Sequence, residues 1–289
     1  MDRITIVGPG RLGLAFGLAL VREEAADEVT VCGRGSEAPP HPLFHEEGVA
    51  YVHGLARPEP GSTAVLLTVP DGAIQEVAIS LAELGPAPTG CVALHCSGAL
   101  SADVLAPLHA RGYSVGSVHP LQSIAHPVSG ADRLDGSAFA VSGERDAVSV
   151  GRRLARAVGG WSFSVPVSKR PLYHAAASMA SNYTLVLVAA AARLLVEAGA
   201  PDEDALNAVL PLVRGTLDNM GDMGPVGALT GPIVRGDAET VRLHLSALPE
   251  RERGLYTALG RETLKLAAPR LKPEVADEIH ALLEGAEER

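Results

Sequence analysis

Lysine is nearly absent from this chain. It occurs only at positions 169, 265 and 272, although Lys and Arg together number 24, so the basic residues are almost all arginine. Few side chains are therefore available to act as a catalytic amine. Cysteine is as scarce: Cys32, Cys91 and Cys96 form an odd set without metal-ligand spacing. That argues against a disulfide framework and a bound metal, and for reduced thiols in the cytosol. Positive charge is in deficit, with a formal net charge of −10, which excludes the basic face that a nucleic-acid partner requires. Long hydrophobic runs are also missing. The apolar segment Tyr183 to Ala192 is ended by Arg193, short of the ~18 charge-free residues of a membrane helix. A strand pattern begins at Ile4, which leaves no room for a signal peptide. The expectation is a cytoplasmic protein with neither nucleic acid nor membrane as partner.

What is present is a hydrophobic content of 47% over 289 residues, enough for two domains. The first half alternates apolar strands with helical patterns, the signature of a doubly wound parallel sheet. Strands are expected at Ile4–Val7, Val29–Cys32, Ala64–Val69, Cys91–His95, Tyr113–Val118, Ala138–Ser142 and Trp161–Val165, with a short one at Ala50–His53. Helices are expected over residues 14–21, 72–84, 102–111 and 146–158. Strand signals stop after Pro166. A long helix then runs from Pro171 to Gly199, with Ser168 placed to cap its start and Gly199 to stop it. Further helices cover residues 202–217, 237–245, 255–266 and 274–284. The domains are therefore read as 1–166, a Rossmann-like nucleotide-binding unit, and 167–289, an all-α unit for substrate and dimerisation.

The strongest motif follows the first strand. Gly8-Pro9-Gly10-Arg11-Leu12-Gly13 is a G-x-G-x-x-G loop set between a β-branched strand and an apolar helix. Gly8 allows the tight turn, Gly10 lets backbone approach a pyrophosphate, and Gly13 lets helix pack on strand. The helix start offers unpaired N–H groups and a positive dipole end to the phosphates. An NAD site carries a carboxylate at the end of the second strand to accept from the ribose 2′-OH. Here that strand ends Val31-Cys32-Gly33-Arg34-Gly35-Ser36, with Asp27 and Glu28 at its other end. Arg34 and Ser36 suit a 2′-phosphate instead, so NADP is the expected cofactor.

Ligands in such sheets bind beyond the carboxyl ends of the strands. Those ends carry Val69-Pro70-Asp71, His95-Cys96-Ser97-Gly98 and His119-Pro120-Leu121-Gln122. Val69, Pro70, Asp71, His95 and Ser97 are read as cofactor neighbours, and Ser97 and Gln122 also as substrate contacts. Asp71 equally fits a helix N-cap, and Ser97-Gly98 a simple turn. His119 is a candidate catalytic group, and each histidine could equally be a satisfied core residue. On the long helix, His174, Ser178 and Asn182 recur at i, i+4, i+8, so they share a face in an Ala/Leu/Val-rich segment that also holds Tyr173 and Ser181. Helix packing would explain the small residues. The functional reading makes His174 the proton donor to a reduced carbonyl or imine, with Asn182 and Ser178 on the substrate. Finally, Leu229–Asp237 reads as a helix break before an N-cap aspartate, with Arg235 available for a substrate carboxylate.

GPGRLG, HCSG, GSVHPLQS, YHAAASMASN and LTGPIVRGD together resemble a group of bacterial Rossmann-like candidate oxidoreductases. The C-terminal half of that group was long catalogued as a domain of unknown function. The group is similar in architecture to pyrroline-5-carboxylate reductases, β-hydroxyacid dehydrogenases and ketopantoate reductases. The resemblance implies an NADP-binding domain, a helical domain that forms a homodimer, and reduction of a small oxo acid, ketopantoate first. One departure matters. β-Hydroxyacid dehydrogenases and ordinary ketopantoate reductases carry a helix lysine four residues before an asparagine, whereas Ser178 stands four before Asn182 here. A lysine mechanism does not carry over, and histidine becomes the preferred acid, His174 before His119. Two other readings stay open at this point. One is imine reduction of the pyrroline-5-carboxylate type. The other is an NADP-binding sensor without turnover.

Overall fold

A computed structural model describes residues 2–286. It divides into two compact units, Met1–Ser181 and Asn182–Arg289. The first unit is an eight-stranded sheet in the order β3-β2-β1-β4-β5-β6-β7-β8. Its strands are β1 (Arg3–Val7), β2 (Glu28–Gly33), β3 (Val49–His53), β4 (Ala64–Leu67), β5 (Val92–His95), β6 (Ser114–Pro120), β7 (Ala138–Gly143) and β8 (Trp161–Phe163). All eight strands stand where apolar, β-branched runs place them. The first six are parallel to one another, so their carboxyl ends share one edge.

One pairing departs from an all-parallel sheet. β7 runs antiparallel to β6, with Pro120 opposite Phe139. The connection between them, residues 121–137, holds one short helix, Pro127–Asp132. The helices of this unit are α1 (Arg11–Arg22), α2 (Ile74–Glu83), α3 (Ala106–His109), α4 (Pro127–Asp132), α5 (Arg145–Ala157) and α6 (Arg170–Ser178). Side chains alternate between two cores. Ile4, Ile6, Leu66 and Leu94 face the layer that holds Phe16, Leu18 and Leu154. Val7, Val65, Leu67 and Ala93 face Ile74, Leu81 and Leu108 on the other side. Burial of both faces explains why the strands read as continuous apolar runs rather than alternating ones.

The long helix is not uniform. α6 passes into a π-helical turn, Met179–Tyr183, and then α7 (Thr184–Glu197). The i, i+4, i+8 register therefore breaks between Ser178 and Asn182. Ser168 does not cap it: the residue at that position is Lys169, and no side chain caps α6. Gly199 does lie just past the end, with a positive φ of 106° that suits glycine. The units divide later than residue 166 because Arg170 and Tyr173 are tied to the sheet. The run Pro171–Ala192 holds no Asp, Glu, Lys or Arg. The helical stretch Val167–Glu197 is thus long and apolar enough to cross a membrane by length and composition, which corrects the sequence expectation. One such helix, interrupted by a π turn and several polar side chains, is weak evidence for a membrane.

The second unit adds α8 (Asp202–Ala228), α9 (Pro232–Arg235), α10 (Ala238–Ala247), α11 (Glu250–Ala267) and α12 (Pro273–Glu284). Its core joins Ile233, Val241, Leu264, Ile279 and Leu283. Asp237 caps α10 as its sequence position predicts, accepting from the Thr240 N–H at 3.0 Å and the Thr240 hydroxyl at 2.7 Å. These bonds hold its carboxyl below the usual range.

Candidate active site

The glycine loop is built as its spacing requires. Gly8 has a φ of 111°, open to glycine and costly for other residues. A Cβ on Gly13 would lie 2.2 Å from the Gly8 carbonyl oxygen and 2.4 Å from the Thr68 hydroxyl. Thr68 in turn donates to the Gly8 carbonyl at 2.7 Å, so β4 fixes the loop from below. A Cβ on Gly10 would meet only the Thr68 carbonyl, at 3.9 Å. That leaves open space over the start of α1. No side chain caps that helix and no acidic residue stands in its first turn, so its N–H groups are available to an anion. Arg34 and Ser36 are exposed at the end of β2. The residues present fit a dinucleotide phosphate.

From this loop a line of contacts runs along the carboxyl edge of the sheet. Thr68 leads to Val69, Pro70 and Asp71 after β4. The Asp71 carboxylate accepts from the Ser97 hydroxyl at 2.7 Å, which joins β4 to the turn after β5. Asp71 caps no helix: Pro70 precedes that turn, and the carboxylate is committed to Ser97. The Ser97 carbonyl accepts from Arg170 at 2.7 Å. A Cβ on Gly98 would lie 2.7 Å from His174 Cδ2 and 2.9 Å from His119 Nε2. Only glycine there lets two histidines approach the turn. Their ring centroids are 6.3 Å apart, and His119 Nδ1 is hydrogen-bonded to the Tyr173 hydroxyl at 2.6 Å.

Arg170 is the residue that sequence reasoning missed. In Lys169-Arg170-Pro171 it looks like a solvated cation at a helix start, yet it is 1% exposed. Its guanidinium donates to Ser117 at 2.8 Å and Ser142 at 2.7 Å, a facing pair across β6 and β7. Burial and this cation keep the histidines neutral. Desolvation, then Arg170, pushes His95 down to about 4. Desolvation, then His174 and Arg170, pushes His119 down to about 4. Burial pushes the Tyr173 phenol up to about 12. Unfolded histidines titrate near 6.5, so between that value and about 4 the unfolded chain binds more protons. Stability is therefore full above pH 6.5 and falls as the pH drops toward 4. The expected slope is roughly 1.4 kcal/mol per pH unit for each group. Chemical denaturation at pH 7.5, 6 and 5 checks this, and an unchanged midpoint would refute the neutral folded state.

Several expected site residues have structural partners instead. His95 is fully buried, bonded to the Ser101 carbonyl and the Ser97 N–H, so it shapes the turn and cannot touch a cofactor. The Ser97 hydroxyl is used by Asp71 and by the Ala99 and Leu100 N–H groups. Gln122 donates to the Arg133 carbonyl and Ser137 hydroxyl and accepts from Ser123. The Ser97 hydroxyl is thereby fully used, while the exposed Gln122 keeps one lone pair on its amide oxygen. His119, Tyr173, His174 and Ser178 stay together in the first unit. Asn182 lies in the π turn and Arg235 ends α9, both in the second unit. Among the described residues no His/Cys/Asp/Glu cluster suits a metal.

Comparison with known proteins bears out the fold. Residues 2–120 match a Rossmann-like domain, and residues 137–263 match a domain of unknown function, DUF2520. A search of curated proteins finds no significant match. Among solved structures, protein TM1727 from Thermotoga maritima is 25% identical over 99% of this chain and 100% of its own, with a TM-score of 0.64. The candidate NADP oxidoreductase BF3122 from Bacteroides fragilis is 21% identical over 97% and 98%, with a TM-score of 0.65. Pyrroline carboxylate reductase from Plasmodium falciparum, solved with NADP bound, shares the fold at 11% identity over 99% and 97%, with a TM-score of 0.58.

Proposed function

We propose that this chain, a Rossmann-like domain followed by a DUF2520 domain, is an NADPH-dependent oxidoreductase that reduces a small oxo acid, ketopantoate first. One observation carries the reading: along one edge of the sheet Thr68 bonds to the glycine loop, Asp71, three residues on, bonds to Ser97, and the adjoining Gly98 packs against His119 and the exposed His174. When bound, the reduced nicotinamide supplies hydride to the carbonyl carbon. His174 delivers the proton to the carbonyl oxygen, and as an exposed imidazole it is recharged from solvent. Neutral His119, held by Tyr173, sits against it and adds no charge. Ser178, one turn along α6, orients the substrate. An exposed cation of the same unit, Lys169, holds the substrate carboxylate.

The test is NADPH oxidation by the purified full chain with ketopantoate and, in parallel, pyrroline-5-carboxylate. Turnover with the oxo acid supports the proposal. Turnover with the cyclic imine alone transfers it to imine reduction, the second reading, which the likeness to pyrroline carboxylate reductase favours. Cofactor binding without turnover on either would leave a sensor.

We also place the protein in the cytosol, where its three buried free cysteines stay reduced, and assign it a homodimer through the helical unit. Leu185, Leu212 and Met223 on the packed pair α7 and α8 are 70%, 73% and 57% exposed, large apolar side chains that an interface would cover. Light scattering should return twice the 29.8 kDa of one chain; a monomer would sink this assignment.

A further inference from the structure

Residues 35–62 are rich in Pro, Gly and His, with a short strand expected at Ala50–His53. The structure gives that strand a second task. Gly33 ends β2 and is buried; the loop after it, Arg34-Gly35-Ser36, lies exposed around a glycine, so by itself it is conformationally loose. Two side chains of β3 converge on one of its atoms. The Tyr51 hydroxyl donates to the Gly35 carbonyl at 2.7 Å, and His53 Nδ1 donates to the same oxygen at 2.9 Å. Tyr51 and His53 are two apart, so they share a face of the strand, and the parallel register sets His53 beside Gly33. Both lone pairs of Gly35 are thereby used by protein donors in place of water.

The clamp is itself supported. The Tyr51 ring packs edge-on against Phe44 with centroids 5.8 Å apart. A Cβ on Gly33 would lie 2.6 Å from the Tyr51 hydroxyl and 2.7 Å from Pro9 Cγ. Gly33 is thus held between the clamp and the glycine loop, and the Gly54 N–H donates to the Gly33 carbonyl at 2.7 Å. The loop is fixed on the residues either side of Arg34, while the Arg34 and Ser36 side chains remain exposed.

We infer that Tyr51 and His53 are specificity-determining positioning residues: by clamping the Gly35 carbonyl they hold Arg34 and Ser36 as a cradle for the 2′-phosphate of NADPH, and so set the preference for NADPH over NADH. The inference rests on the cofactor reading above. Its physical basis is preorganisation, because the ordering of a glycine-rich loop is completed before the anion arrives. The NADH ribose lacks the phosphate and draws nothing from the cradle.

The experiment is fluorescence titration of the full chain with NADPH and, separately, NADH, for wild type, Tyr51→Phe, His53→Ala and the double variant. The double variant should bind NADPH about tenfold more weakly, the scale of one charge-assisted hydrogen bond, with NADH affinity unchanged. His53→Asn, whose amide can donate to the same carbonyl, should restore most of the loss due to His53→Ala. Equal weakening of both cofactors would reduce the clamp to a general support, and unchanged NADPH affinity would remove it; either overturns the inference while leaving the cofactor reading intact. Failure of the wild type to bind NADPH overturns the cofactor reading itself, and the clamp with it.

Discussion

His174→Ala lowers turnover by about 10²- to 10⁴-fold, the range for loss of a general acid, while NADPH affinity stays within about twofold. The separation follows from placement. His174 lies on α6 against Gly98, at the far end of the contact line from the glycine loop. It is exposed, so its removal leaves no unpaired polar group in the core. His119 differs. It is bonded to Tyr173 and neutral, and His119→Ala strands a half-buried phenol, so that variant should lose stability as well as rate. The measurement is steady-state NADPH oxidation beside a cofactor titration, with the midpoint of unfolding recorded for each variant. Full turnover in His174→Ala would exclude this histidine as the acid and move the role to the Tyr173–His119 pair.

The second large effect belongs to the cofactor loop. Gly13→Ala should weaken NADPH binding by more than about 100-fold and cost about 1–3 kcal/mol of stability, as overpacking does. The added methyl would lie 2.2 Å from the Gly8 carbonyl oxygen and 2.4 Å from the Thr68 hydroxyl. Neither atom can yield cheaply: one is backbone at a positive φ, and the other is bonded to that same carbonyl. The loop must open, and the pyrophosphate seat opens with it. Gly254→Ala is the control. It lies exposed inside α11 with nothing within 4 Å of a Cβ, so the change should stabilise by about 0.5–1 kcal/mol through helix propensity and leave binding untouched. Equal NADPH affinity for Gly13→Ala and wild type would show that the cofactor does not use this turn.

How much of this was legible beforehand depended on distance along the chain. Strands such as Ala64–Leu67 were visible because four consecutive apolar residues between turn signals have few other uses. The helix stop at Gly199 and the Asp237 cap were visible because turn and cap chemistry acts within three or four residues. The π turn at Met179–Tyr183 was not, since it leaves the local composition unchanged. His95 and His119 looked equivalent, each ending a strand. Side-chain direction decides between them: His95 turns under Ser97 and is sealed, while His119 reaches Tyr173.

The sequence by itself determined the order of the strands along the chain, the glycine loop between β1 and α1, and the lack of a carboxylate where an NAD site needs one. Each is written in a window of about ten residues, where periodicity, glycine and turn chemistry act directly. Tertiary structure alone decided that Arg170 is buried, bonded to partners 53 and 73 positions away. It alone brought His53 to a carbonyl 18 positions back, and it grouped α6 with the sheet. Such contacts depend on which strands become neighbours. That pairing is set by burying both faces of the whole sheet at once, a condition no short segment carries.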